Sequence, residues 1–523
     1  MSWANPKTDP KLHQPPLKKV GKWLTKVRIG LILGPLVFLV ISLLPMSQAM
    51  TDAIPDELID RASLGFVDKA PLIALGTLLW VLIWWVTECV PLGVAALVPP
   101  LIFSMSEIVP WRDALTSFTN PIIWIFMAGF VLAAAFRKWE LDRRIAIRLG
   151  SLYKGCNPMI AALFVAAIPV FILTLTGSIT ASTSVVFPFL IAYLSMAGVQ
   201  AGGKYSEACM LVLAQAATAG AMLLLISTPP NLIAKETVEE FTTKDLTFLD
   251  WLVIGTPHAV IGLLVSWFVV FKVLKPKESI CTDANRVRAV QKQLGKMSRG
   301  EIVVGGLLAL AITLWLLPSV VKVLSGYDSG LEPLSDALAS IMPEAMPAVL
   351  VILLAGLLRI KGEPLLKWDE IARGIDWNVV FLFGGGIALG IGLESSGFAT
   401  WLAGQVSNSL GDNPSAWTIY AVSCLLGFAL TYAASNTAAA LISCPIAATL
   451  ALGAGVAAAP SIIGAALACS ISSAIPSTTP PMAIVYSSGY VKIWTMFKVG
   501  IVSDAIRVIA LILVGYPLLA FLY

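Results

Sequence analysis

Apolar runs long enough to cross a bilayer, whose core takes roughly 20 helical residues to span, follow one another along almost the whole chain. Eleven are visible, near 29–46, 70–88, 91–106, 120–136, 206–234, 252–274, 302–324, 346–360, 377–404, 461–488 and 497–522. Two more apolar regions, 158–196 and 414–456, are interrupted by polar residues, Gly and Pro. Charged residues make up 13% of the 523, about half of what a soluble domain carries. The chain is therefore read as an all-α polytopic membrane protein. Its seven cysteines show no CxxC or other metal spacing, so they are read as packing residues without a disulfide framework.

Loop charge sets the orientation. The tail 1–28 carries seven basic residues against one acidic, and 272–301 carries eight against three, whereas 52–69 and 235–250 each carry five acidic against two basic. Cytoplasmic loops are rich in Lys and Arg, so the tail and 272–301 are placed inside a cell (inner or plasma) membrane. Eleven crossings from a cytoplasmic N-terminus then put Tyr523 outside. The two interrupted regions must enter and leave on one side, as re-entrant hairpins, although ordinary short spans also fit locally.

The polar interruptions repeat. "SITASTSVVFP" from Ser178 and "SNTAAALISCP" from Ser435 share S-x-T-A and a closing Pro, 257 positions apart. "FMAGFVLAAAF" from Phe126 and "FGGGIALGIGL" from Phe383 keep the same spacing. "STPPN" (227–231) pairs with "TTPPM" (478–482). An odd number of crossings per copy makes the two copies inverted in topology.

Irregular backbone at membrane depth survives only where protein or a watery cavity surrounds it. Each Pro of the T-P-P motifs removes a donor and drives the residue before it out of helix, so both segments are expected to break mid-membrane. Broken ends release carbonyls for Na+ and expose helix N-termini whose amides favour anions. Ser and Thr at the hairpin tips also have a plain structural use, back-bonding within their helices or joining them. Asn436, an amide in an apolar run, is costly unless it is satisfied. The run Gly384–Gly386 follows no strand and is read as tight helix packing.

Taken together, "WWVTECVPLGVAALVP" (84–99), "NPIIWIFMAGFVLAAAFRKWELDRRIA" (120–146), "WNVVFLFGGGIALGIGLESSGFATWLA" (377–403), the S-N-T triplet and the two T-P-P loops resemble the divalent anion:sodium symporter family. The resemblance runs from about Pro71 to the C-terminus. It implies Na+-coupled carriage of small di- or tricarboxylates such as succinate or citrate, and a homodimer that works as an elevator. The implied parts are a tail 1–28, scaffold helices 29–119, first-repeat transport elements 120–234, scaffold helices with the basic loop 235–375, and second-repeat transport elements 376–523. By position, the second Na+ site falls on Thr431, Ala434, Asn436 and Thr478, and the first on Thr174, Ser178 and Ser227. The anion falls to Thr180, Asn436, Thr437, Thr479 and Pro480, with Thr228 and Pro229.

Two positions depart from the family pattern. Ile179 stands where the first tip has Asn, and Met482 where the second loop ends in Asn. Ile offers a cation no oxygen, so the first site is weak, lost, or rebuilt from Ser182, Thr183 or backbone carbonyls. A Na+-independent exchanger, or a sulfate or organosulfonate carrier of the same family, is the alternative. An enzyme is not expected: the only histidines are His13 and His258, no H-E-x-x-H occurs, and the four broken segments hold no Asp or Glu. No nucleic-acid partner is expected either.

Overall fold

The computed structural model describes residues 18–61, 66–153, 155–276, 278, 294–410, 415–476 and 478–523. The expectations for His13, for Cys281 and for most of the tail and of the basic loop lie outside them. The described chain is helical, apart from a two-stranded antiparallel ribbon pairing Arg359–Ile360 with Glu363–Pro364. Among the described residues nine helices are long and apolar enough to cross a membrane, or ten if the bent pair Ser329–Ile341 and Ala345–Leu357 is one span.

That count departs from the expected eleven plus two hairpins, for reasons that are local. The run at 91–106 starts with Pro91 and carries Pro99 and Pro100, and it folds as two short helices, Leu92–Ala95 and Val98–Met105. The runs at 206–234 and 461–488 both break, into Lys204–Gly220 and Pro229–Phe241, and into Ala458–Cys469 and Pro480–Ser487. Conversely, both interrupted regions fold as helix pairs. Three of their four legs, Pro158–Thr176, Ala416–Ala433 and Asn436–Gly453, have the length and apolarity of crossing helices.

The two halves present one order of elements: a span, a helical hairpin, a broken helix and a last span. In the first half these are Pro121–Lys138, the hairpin 158–196, the break between Gly220 and Pro229, and Phe248–Leu274. In the second they are Trp377–Ser395, the hairpin 416–453, the break between Cys469 and Pro480, and Ile493–Leu522. The helix Lys18–Leu43 lies against Ala70–Thr87 outside this arrangement.

The glycine run does what its sequence implies. A methyl group on Gly385 would overlap the carbonyl of Ala96, and one on Gly386 would overlap the side chain of Leu441 in the second hairpin. In the first half, Gly129 faces Gly177, whose φ of +89° turns the first hairpin tip; a Cβ on Gly177 would stand 3.0 Å from the Gly129 Cα. Gly385→Ala is therefore expected to cost about 1–3 kcal/mol through overpacking against backbone that cannot step aside. A lowered unfolding midpoint in detergent checks this; an unchanged midpoint means the two helices can separate at no cost.

The cysteine reading needs one correction. Cys89, Cys209, Cys424, Cys444 and Cys469 are free thiols, the last four fully buried, but Cys156 is disulfide-bonded.

Candidate functional site

The S-x-T motifs are helix starts. Ser178 and Ser435 have extended backbone, and their hydroxyls accept from Ala181 N at 3.2 Å and Ala438 N at 3.3 Å. Ser at this capping position satisfies an amide that has no partner inside the helix. The middle residue then becomes the first of its helix, which is where Ile179 and Asn436 stand. The triplet thus assigns its own roles: Ser closes the tip and the next side chain is presented there.

The T-P-P motifs are helix starts of a different kind. Thr228 and Thr479 are extended, with φ of −156° and −143°, because a following Pro excludes the helical region. Pro fills the first two helical positions in both. Neither Thr hydroxyl caps its helix, and that of Thr479 is buried without a partner. This modifies the sequence expectation. Two prolines remove two of the free amides at each start, and the Asn231 amide turns to Thr228 O at 3.3 Å. The hairpin-tip helices, by contrast, begin with residues that keep their amides.

Hydrogen bonds gather the second set of predicted residues. The Thr431 hydroxyl lies 2.7 Å from both Asn436 Oδ1 and the Cys469 carbonyl, sharing its one proton between them, and 3.3 Å from the Ser472 hydroxyl. Ser472 in turn donates to Asn436 Oδ1 at 3.1 Å. The Thr478 hydroxyl donates to the Ile475 carbonyl at 2.9 Å and the Ser472 carbonyl at 3.3 Å. Ala434 is extended at the turn just before the cap. One leg of the hairpin, its tip and the helix break therefore meet at a single knot of neutral oxygen atoms. All of them are buried, with Thr431 and Ser472 fully so.

The first set is gathered more loosely. The Thr174 hydroxyl shares its proton between the carbonyls of Phe171 at 2.7 Å and Gly220 at 3.0 Å, while Ser227 donates to Thr174 O at 3.2 Å. Ile179 brings no polar atom to this group. Ser182 and Thr183, the candidates for rebuilding it, donate back to Ser178 O at 2.7 Å and Ile179 O at 2.8 Å. Their hydroxyls follow the i−4 habit of membrane helices. Asn231 braces this break, its amide donating to Ala221 O at 2.7 Å and Leu224 O at 2.8 Å.

The two sets interlock through helix packing. The helix begun by Asn436 lies against the one begun by Pro229, and the helix begun by Ile179 lies against the one begun by Pro480. Thr180 is exposed, Thr437 and Pro229 are half-buried, and Thr228 is buried. A cleft of about 1260 Å³ is lined by none of the predicted residues. At its rim a buried Lys235 meets Glu239, Asp245 at 3.2 Å and Glu344 at 3.0 Å. Burial works to lower the Lys235 pKa, but Glu344, Glu239 and Asp245 together hold it above the ordinary lysine value. Burial, with Glu236 and Glu394 nearby, pushes Glu240 up to about 8.

Sequence reasoning missed four groups here. Cys469 contributes only its carbonyl, and Ser472 lies in a loop with no motif. Asp504 and Arg507 are buried beside the second break, in a helix that reads as an ordinary span. The broken segments hold no carboxylate, as the sequence says, yet Asp504 reaches one of them from a neighbouring helix. The available signal was an Asp and an Arg three positions apart in an apolar run, which lipid does not tolerate without a use.

Among the described residues no three His, Cys, Asp or Glu side chains gather as a metal site. The oxygen donors present are hydroxyls, an amide and carbonyls, a neutral set that suits an alkali cation at a helix break. The chain matches the family described as the sodium:sulfate symporter transmembrane region over residues 37–522. It is 29% identical over 500 residues to the sodium-dependent dicarboxylate transporter SdcS of Staphylococcus saprophyticus, covering 93% of this chain and 90% of that one. To the protein of the same name in Staphylococcus aureus MRSA252 it is 28% identical over 509 residues, covering 95% and 92%.

Proposed function

The chain belongs to the sodium:sulfate symporter family, and from that premise we propose that it carries small dicarboxylates across the cell membrane by Na+-coupled symport. The observation that carries this reading is the knot formed by Thr431, Asn436, Ser472 and the Cys469 carbonyl. A dehydrated Na+ needs several oxygen atoms fixed around one point, and here three chain segments supply them without a charged residue. The second cation site takes Thr431, Ala434, Asn436 and Thr478, and the weaker first site takes Thr174, Ser178 and Ser227. The anion sits between the tips on Thr180, Asn436, Thr437, Thr479 and Pro480, with Thr228 and Pro229. The unpartnered Thr479 hydroxyl is a donor in reserve for it.

The two hairpins are re-entrant, and the halves form an inverted repeat. Phe126 and Phe383 support this: they are equivalent by sequence and their rings touch, with centroids 4.7 Å apart. Equivalent residues meet one another where a two-fold axis passes between them. The transport elements 120–234 and 376–523 move as an elevator against the scaffold 29–119 and 235–375, in a homodimer with a cytoplasmic N-terminus.

Purified protein in proteoliposomes is expected to accumulate labelled succinate under an inward Na+ gradient, and to stop when choline replaces Na+. Absence of saturable uptake of succinate, citrate and sulfate under both conditions would overturn the proposal. Ile179 favours a second reading, exchange without Na+. Succinate counterflow that persists at full rate in Na+-free buffer would decide for it.

A further inference from the structure

We infer that Asp504 is a positioning residue for the second cation site, one that clamps the helix break and the hairpin to a common point. This rests on the reading that Thr431 and Asn436 hold Na+. Asp504 is fully buried and accepts three hydrogen bonds: from Ser473 N at 2.6 Å, from the Ser473 hydroxyl at 2.7 Å and from the Tyr432 hydroxyl at 2.6 Å. Ser473 follows Ser472, and Tyr432 follows Thr431. One carboxylate therefore fixes the two chain segments that carry the oxygen atoms around Asn436, without touching those atoms itself.

The clamp stands where the loop lacks its own brace. In the first half Asn231 pins the break through two carbonyls. At the equivalent place the second half has Met482, buried among Val485 and Met496, which donates nothing. The break is held from outside instead. Gly500 lets the last span close onto it, since a Cβ there would overlap Ala474, and Asp504 follows one helical turn later.

Arg507 balances the charge. Its Nη1 lies 3.8 Å from Asp504 Oδ1 and donates to the Thr218 hydroxyl at 3.1 Å, on the helix that leads into the other break. Its Nε and Nη2 have no protein partner, nor has His258 Nε2, and both side chains line a cavity of about 10 Å³, the size of one water molecule. Gly255 closes onto the first break as Gly500 closes onto the second, and 245 positions separate them. The same spacing sets Ala259 opposite Asp504 and Gly262 opposite Arg507. A Cβ on Gly262 would come within 3.3 Å of Arg507 Nε. The clamp is thus built once, in the half that kept its tip amide, and the other half only leaves room for it.

The test measures the Na+ concentration that half-saturates succinate uptake in proteoliposomes. Partners that orient a metal ligand are worth roughly 10- to 100-fold in metal affinity. Asp504→Asn, and Asp504→Asn combined with Arg507→Gln, are each expected to raise the half-saturating Na+ by at least roughly tenfold on that scale. Tyr432→Phe is expected to raise it less. The succinate KM at saturating Na+ stays where it was, a split that general damage to the fold does not produce. If Asp504→Asn alone fails to fold with Arg507 uncompensated, the double variant, neutral in that layer, carries the test. A folded double variant with unchanged Na+ half-saturation overturns the inference while the cation site stands. Asn436→Ala run alongside separates the two: unaltered Na+ dependence there overturns the site itself, and the clamp with it.

Discussion

Asn436→Ala is expected to abolish Na+-driven accumulation of succinate, lowering uptake at limiting Na+ by more than roughly 100-fold, the upper end for losing a group that orients or binds a metal. The amide oxygen is where the knot closes: it accepts from Thr431 at 2.7 Å and Ser472 at 3.1 Å. Alanine leaves the Ser472 hydroxyl buried without that acceptor, and unmade bonds of this kind cost about 1–3 kcal/mol each. On the proposed assignment it also removes a ligand from the cation and from the anion at once, so affinity and coupling are expected to fall together. Alanine is a good helix former and Ser435 still caps the helix, so the hairpin itself persists. Labelled succinate uptake across a Na+ titration reads the result. Retained Na+ dependence with a half-saturation within twofold of the parent protein would sink the assignment.

Ile179→Asn is expected to act in the opposite direction. Ile179 holds the same place after its capping Ser that Asn436 holds after Ser435, and its side chain is only half-buried. The smaller Asn fits there without overpacking. Thr174 and Ser227 are already linked at 3.2 Å, so on the proposed assignment the amide adds an oxygen donor to the first site. The Hill coefficient for Na+ is expected to rise from about one toward about two, its limit being the number of coupled sites. If both the Na+ order and the transport rate stay as they were, the first site is not limited by residue 179.

What the sequence disclosed was local. The Ser of S-x-T caps a helix, Pro-Pro after Thr breaks one, and the run around Gly385 packs closely; each rule acts within a few residues, so each can be read from the string. The family resemblance rested on those same stretches. What stayed hidden involves distance. Nothing near Asp504 announces that its partners are Tyr432 and Ser473, some 72 and 31 positions away. Nothing in Cys469 says that its carbonyl, rather than its thiol, takes part. The sequence showed more apolar runs than there are long continuous helices among the described residues, because apolar length does not distinguish a continuous span from one that Pro divides.

Those proline starts have a consequence for selectivity. A helix that begins with Pro-Pro points its positive end at a ligand, but it offers few N–H groups with a fixed direction. It acts through field, which falls on any dianion of the right size, rather than through a hydrogen-bond pattern that one shape alone can match. In a carrier whose binding place includes two such ends, the total charge of the cargo is read more strictly than its outline. A tetrahedral oxyanion and a flexible dicarboxylate then look alike to the helix ends. On the proposed assignment, the few directional groups at the tips, Thr180 and Thr437 among them, are where a small change of side chain is expected to shift preference from one anion to another.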